Sequence, residues 1–188
     1  MELTTGLEMR AREIRQLQAQ EDMLAAKYVA SDPLGRHNDY FVSAAESLYP
    51  KYPAGVIMEN NVGDNQTRYN LTVSIEGKDS DGINAARILC FDWLLLQRGS
   101  NHTMDFLWHD NRLFAHLDPR PRAEWFRLVL NGISMSGKQY LASINTENFA
   151  AMRPHLSADE LEQLNSAIAL TLRGDRPANK LLGVQFGS

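Results

Sequence analysis

The chain has 188 residues, 44% of them hydrophobic, which suits one domain with a buried core and excludes disorder by composition. A formal net charge of −4 excludes a chain that is basic throughout, so contact with nucleic acid would need a local basic face. One cysteine, Cys90, excludes an internal disulfide, and its neighbours Ile88, Leu89 and Phe91 point to a buried thiol. The N-terminus is charged rather than signal-like, and no apolar run approaches the ~20 residues of a membrane helix. The expectation is a cytoplasmic protein without a membrane partner, in which the Asn-x-Thr triplets at Asn65, Asn70 and Asn101 are glycosylation decoys.

The first thirty residues predict one long helix. Leu7, Ile14, Glu21 and Tyr28 recur every seven residues, with Leu3, Arg10, Leu17 and Leu24 between them. Such a seam fits a coiled coil; the alternative is an amphipathic helix packed on its own domain. Asp32-Pro33-Leu34-Gly35 breaks the helix. A second helix is expected from Asn38 to Leu48, followed by strands over Val56–Val62 and Arg68–Glu76 and a hairpin turn at Gly63–Gln66. In the second strand Tyr69, Leu71, Val73 and Ile75 alternate with polar residues, which predicts one buried face.

After the turn Gly77–Gly82, Ile83 to Gln97 reads as a helix apolar nearly all round and therefore enclosed. Ser80, Asp81 and Gly82 stand at its N-terminus, where free backbone N–H groups suit a cap side chain or an anion. Met104 to His109 predicts a strand running into Asp110. A carboxylate at a strand's carboxyl end can hold Mg²⁺, or it can simply cap the following turn. His109, Asp110, His116 and Asp118 also admit a metal-dependent phosphohydrolase, on weaker grounds, because no second His/Asp cluster completes such a site.

Leu117-Asp118 opens a further helix, expected over Pro121–Asn131, and a strand is expected over Gln139–Ile144. Between them, Gly132 to Lys138 fits Gly-x4-Gly-Lys, but Gln139 stands where a phosphate-binding loop has Ser or Thr. A helix before it and a strand after it are the reverse of what that loop needs. A short helix over Thr146–Met152 is stopped by Pro154, and Ser157 with Glu160 forms a capping box for a helix reaching about Leu172. Arg173–Asn179 reads as a loop and Leu181–Phe186 as a last strand.

The run Gly82-Ile-Asn-Ala-Ala-Arg-Ile-Leu-Cys-Phe-Asp92, the run Asp105-Phe-Leu-Trp-His-Asp-Asn-Arg-Leu-Phe114 and the closing Leu181-Leu-Gly-Val-Gln-Phe186 resemble the domain of unknown function 2326. That domain forms the C-terminal part of bacterial YydD-like coiled-coil ATPases. The resemblance spans residues 35–188, and His-Asp-x-Arg-Leu-Phe is its most specific motif. It implies an α/β fold, the C-terminal lobe of a Rad50-like or structural-maintenance-of-chromosomes-like P-loop ATPase head. Residues 1–30 would be a coiled-coil helix, with a small β-hairpin beside the lobe.

Carried over by position, the resemblance implies that Ser80, Asp81 and Gly82 form the signature turn, Asp110 the Walker B acid and Mg²⁺ ligand, and Asp118 the D-loop acid. Asn145 would stand near the switch histidine, and Asn111 stands where an active ATPase of this type has its catalytic Glu. Asp110 could instead fill that Glu position, with His109 replacing the acid. The implied cofactors are ATP and Mg²⁺, bound only with a Walker A-bearing lobe in cis or trans. The implied partners are that lobe, a second head and DNA, in DNA transactions or defence. The competing expectation is a non-catalytic module that dimerises through the N-terminal coil.

Overall fold

The computed structural model describes residues 2–61, 67–77, 80–173, 175–180 and 183. Helix α1 (Glu2–Ala30) covers the heptad stretch. Its seam is open, with Leu7, Ile14, Leu17 and Leu24 exposed by 64%, 54%, 55% and 63%, so the expectation of a helix packed on its own domain fails for most of its length. Only the last turns dock. Ala25 is buried, Tyr28 lies 5.7 Å from Tyr69, and Asp22 pairs with Arg68 at 2.8 Å.

A turn at Asp32, which adopts a positive φ of 50°, leads into α2 (Gly35–Leu48). This helix starts before Asn38 because the Asp32 carboxylate closes on Gly35, where a Cβ would come within 2.5 Å of Oδ2. The Asn38 Oδ1 accepts a bond from the Val56 backbone N–H at 2.8 Å and so ties the next strand to α2. That strand, β1 (Ala54–Asn60), pairs antiparallel with β2 (Tyr69–Ile75), from Ala54 opposite Ile75 to Asn60 opposite Tyr69. Ile75 is buried and Val73 half-buried, as alternation predicts, but Leu71 is exposed where the hairpin projects past the core. The turn expected at Gly63–Gln66 lies outside the described residues.

Helix α3 (Asp81–Arg98) is the enclosed helix the sequence predicts, burying Ile83, Ala86, Leu89, Trp93 and Leu96. Burial in the same helix pushes the Cys90 thiol up to about 12, so it is protonated and inert. Strand β3 (Phe106–His109) follows, then α4 (Asn111–His116), a short helix that the sequence pattern does not announce. Helix α5 (Pro119–Ser136) crosses α3, with Trp125 edge-on to Trp93 at 5.9 Å. It then leads to β4 (Gln139–Ala142). The chain ends in α6 (Thr146–Met152), a 3₁₀ turn (Arg153–His155), α7 (Ala158–Ser166) and a second 3₁₀ turn (Pro177–Asn179).

The fold is therefore mixed α/β, and its described residues form two two-stranded sheets, β1–β2 and the parallel pair β3–β4. A parallel pair needs a crossover, which α4 and α5 supply. Among the described residues no helix is long and apolar enough to cross a membrane.

The near-match to a phosphate-binding loop dissolves in this geometry. Residues 132–136 lie inside α5, and Gly137 ends it in the left-handed region at φ 66°. Gly132 is required because a Cβ there would stand 2.4 Å from the Trp93 ring. The Lys138 ammonium donates to the Leu96 carbonyl near the end of α3 instead of facing an anion.

Helix α7 stops at Ser166, six residues short of the predicted end. Its N-terminus carries the capping box, with Ser157 Oγ accepting from Glu160 N–H at 3.2 Å and Glu160 accepting from Ser157 N–H at 2.8 Å. Beyond Ser166, Ile168, Leu170 and Leu172 are exposed, so no packing rewards a longer helix. The strand expected over Leu181–Phe186 lies outside the described residues, apart from Gly183.

Arg127 fixes α7 to α5 by donating to Glu160 at 2.6 Å, to Glu124, and to the His155 carbonyl at 2.9 Å. These bonds, first from Arg127 and then from Ser157, hold the Glu160 carboxyl down to about 2. Its contribution is therefore complete above the ordinary value of 4.5 and is lost as pH falls from there toward about 2. Glu160→Gln should lower stability at pH 7 by on the order of 1 kcal/mol, since solvent screens the pair. Urea unfolding at several pH values should show this difference shrinking below pH 4.5.

Candidate functional site

The candidate residues gather at the two ends of α4. At its start, Asp110 follows β3 and caps the helix, its Oδ1 accepting from the Arg112 N–H at 3.0 Å. The carboxylate is exposed, so capping leaves it open to solvent on one side. The Oδ1 of Asn111 accepts from the Asn145 backbone N–H at 2.8 Å and from the Asn148 amide at 3.0 Å. One side chain thus brings Asp110, Asn111 and Asn145 together beside the start of α6. Asn111 acts there as a tie between two helix starts.

The far end of α4 meets the start of α3. A Cβ on Gly82 would lie 2.8 Å from the His116 carbonyl and 3.1 Å from the Tyr49 hydroxyl, so only glycine allows this approach. Asp118 stands at the N-cap of α5 without a side-chain cap bond. The Tyr49 hydroxyl is pushed above its usual value by burial and then by the Asp118 charge, which places both groups in one neighbourhood. Ser80 likewise makes no side-chain cap bond at α3. Asp81 is exposed and lies 4.0 Å from His116 Nδ1.

Arg122 joins the two ends. Buried within α5, its guanidinium donates to the carbonyls of Phe114 at 2.9 Å, Asn148 at 2.8 Å, and Leu117. Burial lowers its pKa and the Asp118 charge partly offsets this. No sequence motif singles Arg122 out; an arginine on the apolar face of a helix is the only available signal.

A second polar group lies under β3. His109 is buried, with Nε2 3.0 Å from Asp92 and Nδ1 2.9 Å from the Tyr140 hydroxyl, which also accepts from Trp125 Nε1 at 2.9 Å. Since the indole can only donate, the tyrosine is free to donate to Nδ1, and the Nε2 proton then points at the Asp92 carboxylate. Every donor in this four-residue series has an acceptor. Burial raises the tyrosine pKa well above its usual value. His109 is therefore turned inward, away from Asp110, which removes it both as a replacement for the Walker B acid and as a ligand of a phosphohydrolase metal. Among the described residues no group of three or more His, Cys, Asp or Glu side chains is placed to hold a metal ion.

The family model described as an uncharacterised protein conserved in bacteria, the domain of unknown function 2326, matches residues 44–186. The chain belongs to this family. The match takes in both ends of α4 and the candidate residues from Ser80 to Asn145, while α1 lies outside it. No curated protein matches the chain. The matched residues run from within α2 through α7, and α1 lies ahead of them.

Proposed function

We propose that this chain is the C-terminal half of a Rad50- or SMC-like ATPase head, completed by a separate lobe that carries the Walker A loop. The observation that carries this is the parallel pair β3–β4. Its inner face bears Leu107, His109 and Tyr140, whereas Phe106 and Trp108 on its outer face are 53% and 63% exposed. Parallel sheets are normally covered on both faces and extended by further strands. An open apolar face on a sheet of two described strands suits completion by another polypeptide. Asp110 continues the parity of Phe106 and Trp108, so it falls on the side such a lobe would cover.

In this reading Asp110 supplies one carboxylate to Mg²⁺, and the phosphates and the incoming lobe supply the rest, which is how that ion is usually held in nucleotide sites. Ser80 and the first N–H groups of α3 would face the γ-phosphate of a second head, with Asp118 beside them. Asn111 in the place of a catalytic Glu favours nucleotide-dependent association over fast hydrolysis. DNA handling is the setting that the family resemblance implies. A second reading, an interaction module acting through a coiled coil, is favoured by the open seam of α1.

The chain by itself should not turn over ATP, because the phosphate-cradling N–H groups and lysine belong to the proposed separate lobe. Lys138→Ala should leave this unchanged, as Lys138 is engaged with the Leu96 carbonyl. Mg²⁺-dependent turnover by the purified chain, abolished by Lys138→Ala, would return the Gly132–Lys138 segment to contention and sink the half-head proposal.

A further inference from the structure

The domain grips α1 only along its last turns, where the seam residue Tyr28 also lies against Tyr69. Asp22, Ala25 and Val29 turn toward it, while Leu7, Arg10, Ile14, Leu17, Glu21 and Leu24 form an uncovered seam. Two of those six seam positions are charged, and their placement decides how a second helix can lie there. A parallel copy would set Arg10 against Arg10 and Glu21 against Glu21 inside the seam, two like-charge contacts. An antiparallel copy sets Leu7 against Leu24, Arg10 against Glu21 and Ile14 against Leu17, and the two-fold axis repeats all three pairs. Every apolar seam residue then meets an apolar one, and each charge meets its opposite.

We propose that two copies of this chain associate through α1 as a short antiparallel coiled coil in that register. The occupant of the seam is the same helix of a second copy, selected by the Arg10–Glu21 complementarity. The two lobes sit at opposite ends of the paired helices. Nothing in this pairing depends on nucleotide or on the half-head proposal, and Asp110→Asn leaves it unchanged.

Sedimentation equilibrium of the full chain, without nucleotide, tests it. The wild type should dimerise at micromolar concentration. Arg10→Glu or Glu21→Arg alone should raise the dissociation constant at least ~10-fold by placing like charges together. The double exchange should restore it to within about 3-fold. Leu7→Cys with Leu24→Cys should give an intermolecular disulfide, and Leu7→Cys alone should not, with the native Cys90 silent because it is buried. All these positions are exposed on α1, so the lobe stays folded in each variant. A chain that stays monomeric, single exchanges without effect, or cross-linking through Leu7→Cys alone would overturn the proposal.

Discussion

Arg122→Leu should lower the unfolding free energy by about 3–5 kcal/mol, measured by equilibrium urea unfolding. The guanidinium is buried and donates to three carbonyls, those of Phe114, Leu117 and Asn148. Leucine fills part of the volume but removes all three donors; the Phe114 carbonyl keeps the Leu117 N–H at 3.2 Å, and each acceptor left short costs ~1–3 kcal/mol before relaxation or water recovers some of it. Arg122→Lys should fall between, because one ammonium on a flexible stem cannot reproduce a fixed fork of donors. Hydrogen exchange should rise first at the end of α4 and in α6, the segments Arg122 joins. A loss below about 1 kcal/mol would mean that these carbonyls find other partners and that Arg122 is not the tie between the two halves of the site.

The parts of the fold visible in the sequence are those written in local patterns. α3 follows from a stretch that is apolar nearly all round, α5 forms but runs on to Ser136 past the end expected at Asn131, the capping box at Ser157 forms as expected, and a helix before Lys138 with a strand after it argues against a phosphate-binding loop. α4 was not visible because six residues carry too little periodicity; it is held by Asp110 at one end and by Arg122 on its last carbonyls at the other. The overlong prediction for α7 has the opposite cause. Ile168 and Leu172 extend a helical pattern that nothing in the described fold packs against.

The site was legible in pieces. Asp110 and Asn145 are 35 residues apart in numbering and meet because Asn111 binds the Asn145 N–H. The hydrogen-bonded series Asp92–His109–Tyr140–Trp125 forms no contiguous motif, since its members come from α3, β3, β4 and α5. A histidine on the inward parity of a strand and an aspartate in an apolar helix were the only hints.

Asp110→Asn should have a small structural effect and a large functional one. Asparagine is as good an N-cap as aspartate, and the Arg112 N–H keeps an acceptor, so stability should change by on the order of 1 kcal/mol or less. If Asp110 meets Mg²⁺ on the open side of β3, removing its charge should weaken nucleotide-dependent association of the reconstituted head at least ~10-fold. Unfolding of the variant with nucleotide response intact in the surviving fraction would make Asp110 a structural cap alone.

The most direct test is sedimentation velocity of the chain mixed with a polypeptide carrying a Walker A loop, without a heptad run, from the same gene or its upstream neighbour, with and without ATP and Mg²⁺. The half-head proposal predicts that the mixture forms a lobe pair and that ATP with Mg²⁺ drives two such pairs together, an effect lost in Asp110→Asn. Failure of the two polypeptides to associate in any nucleotide state, or association indifferent to both nucleotide and Asp110, would contradict it.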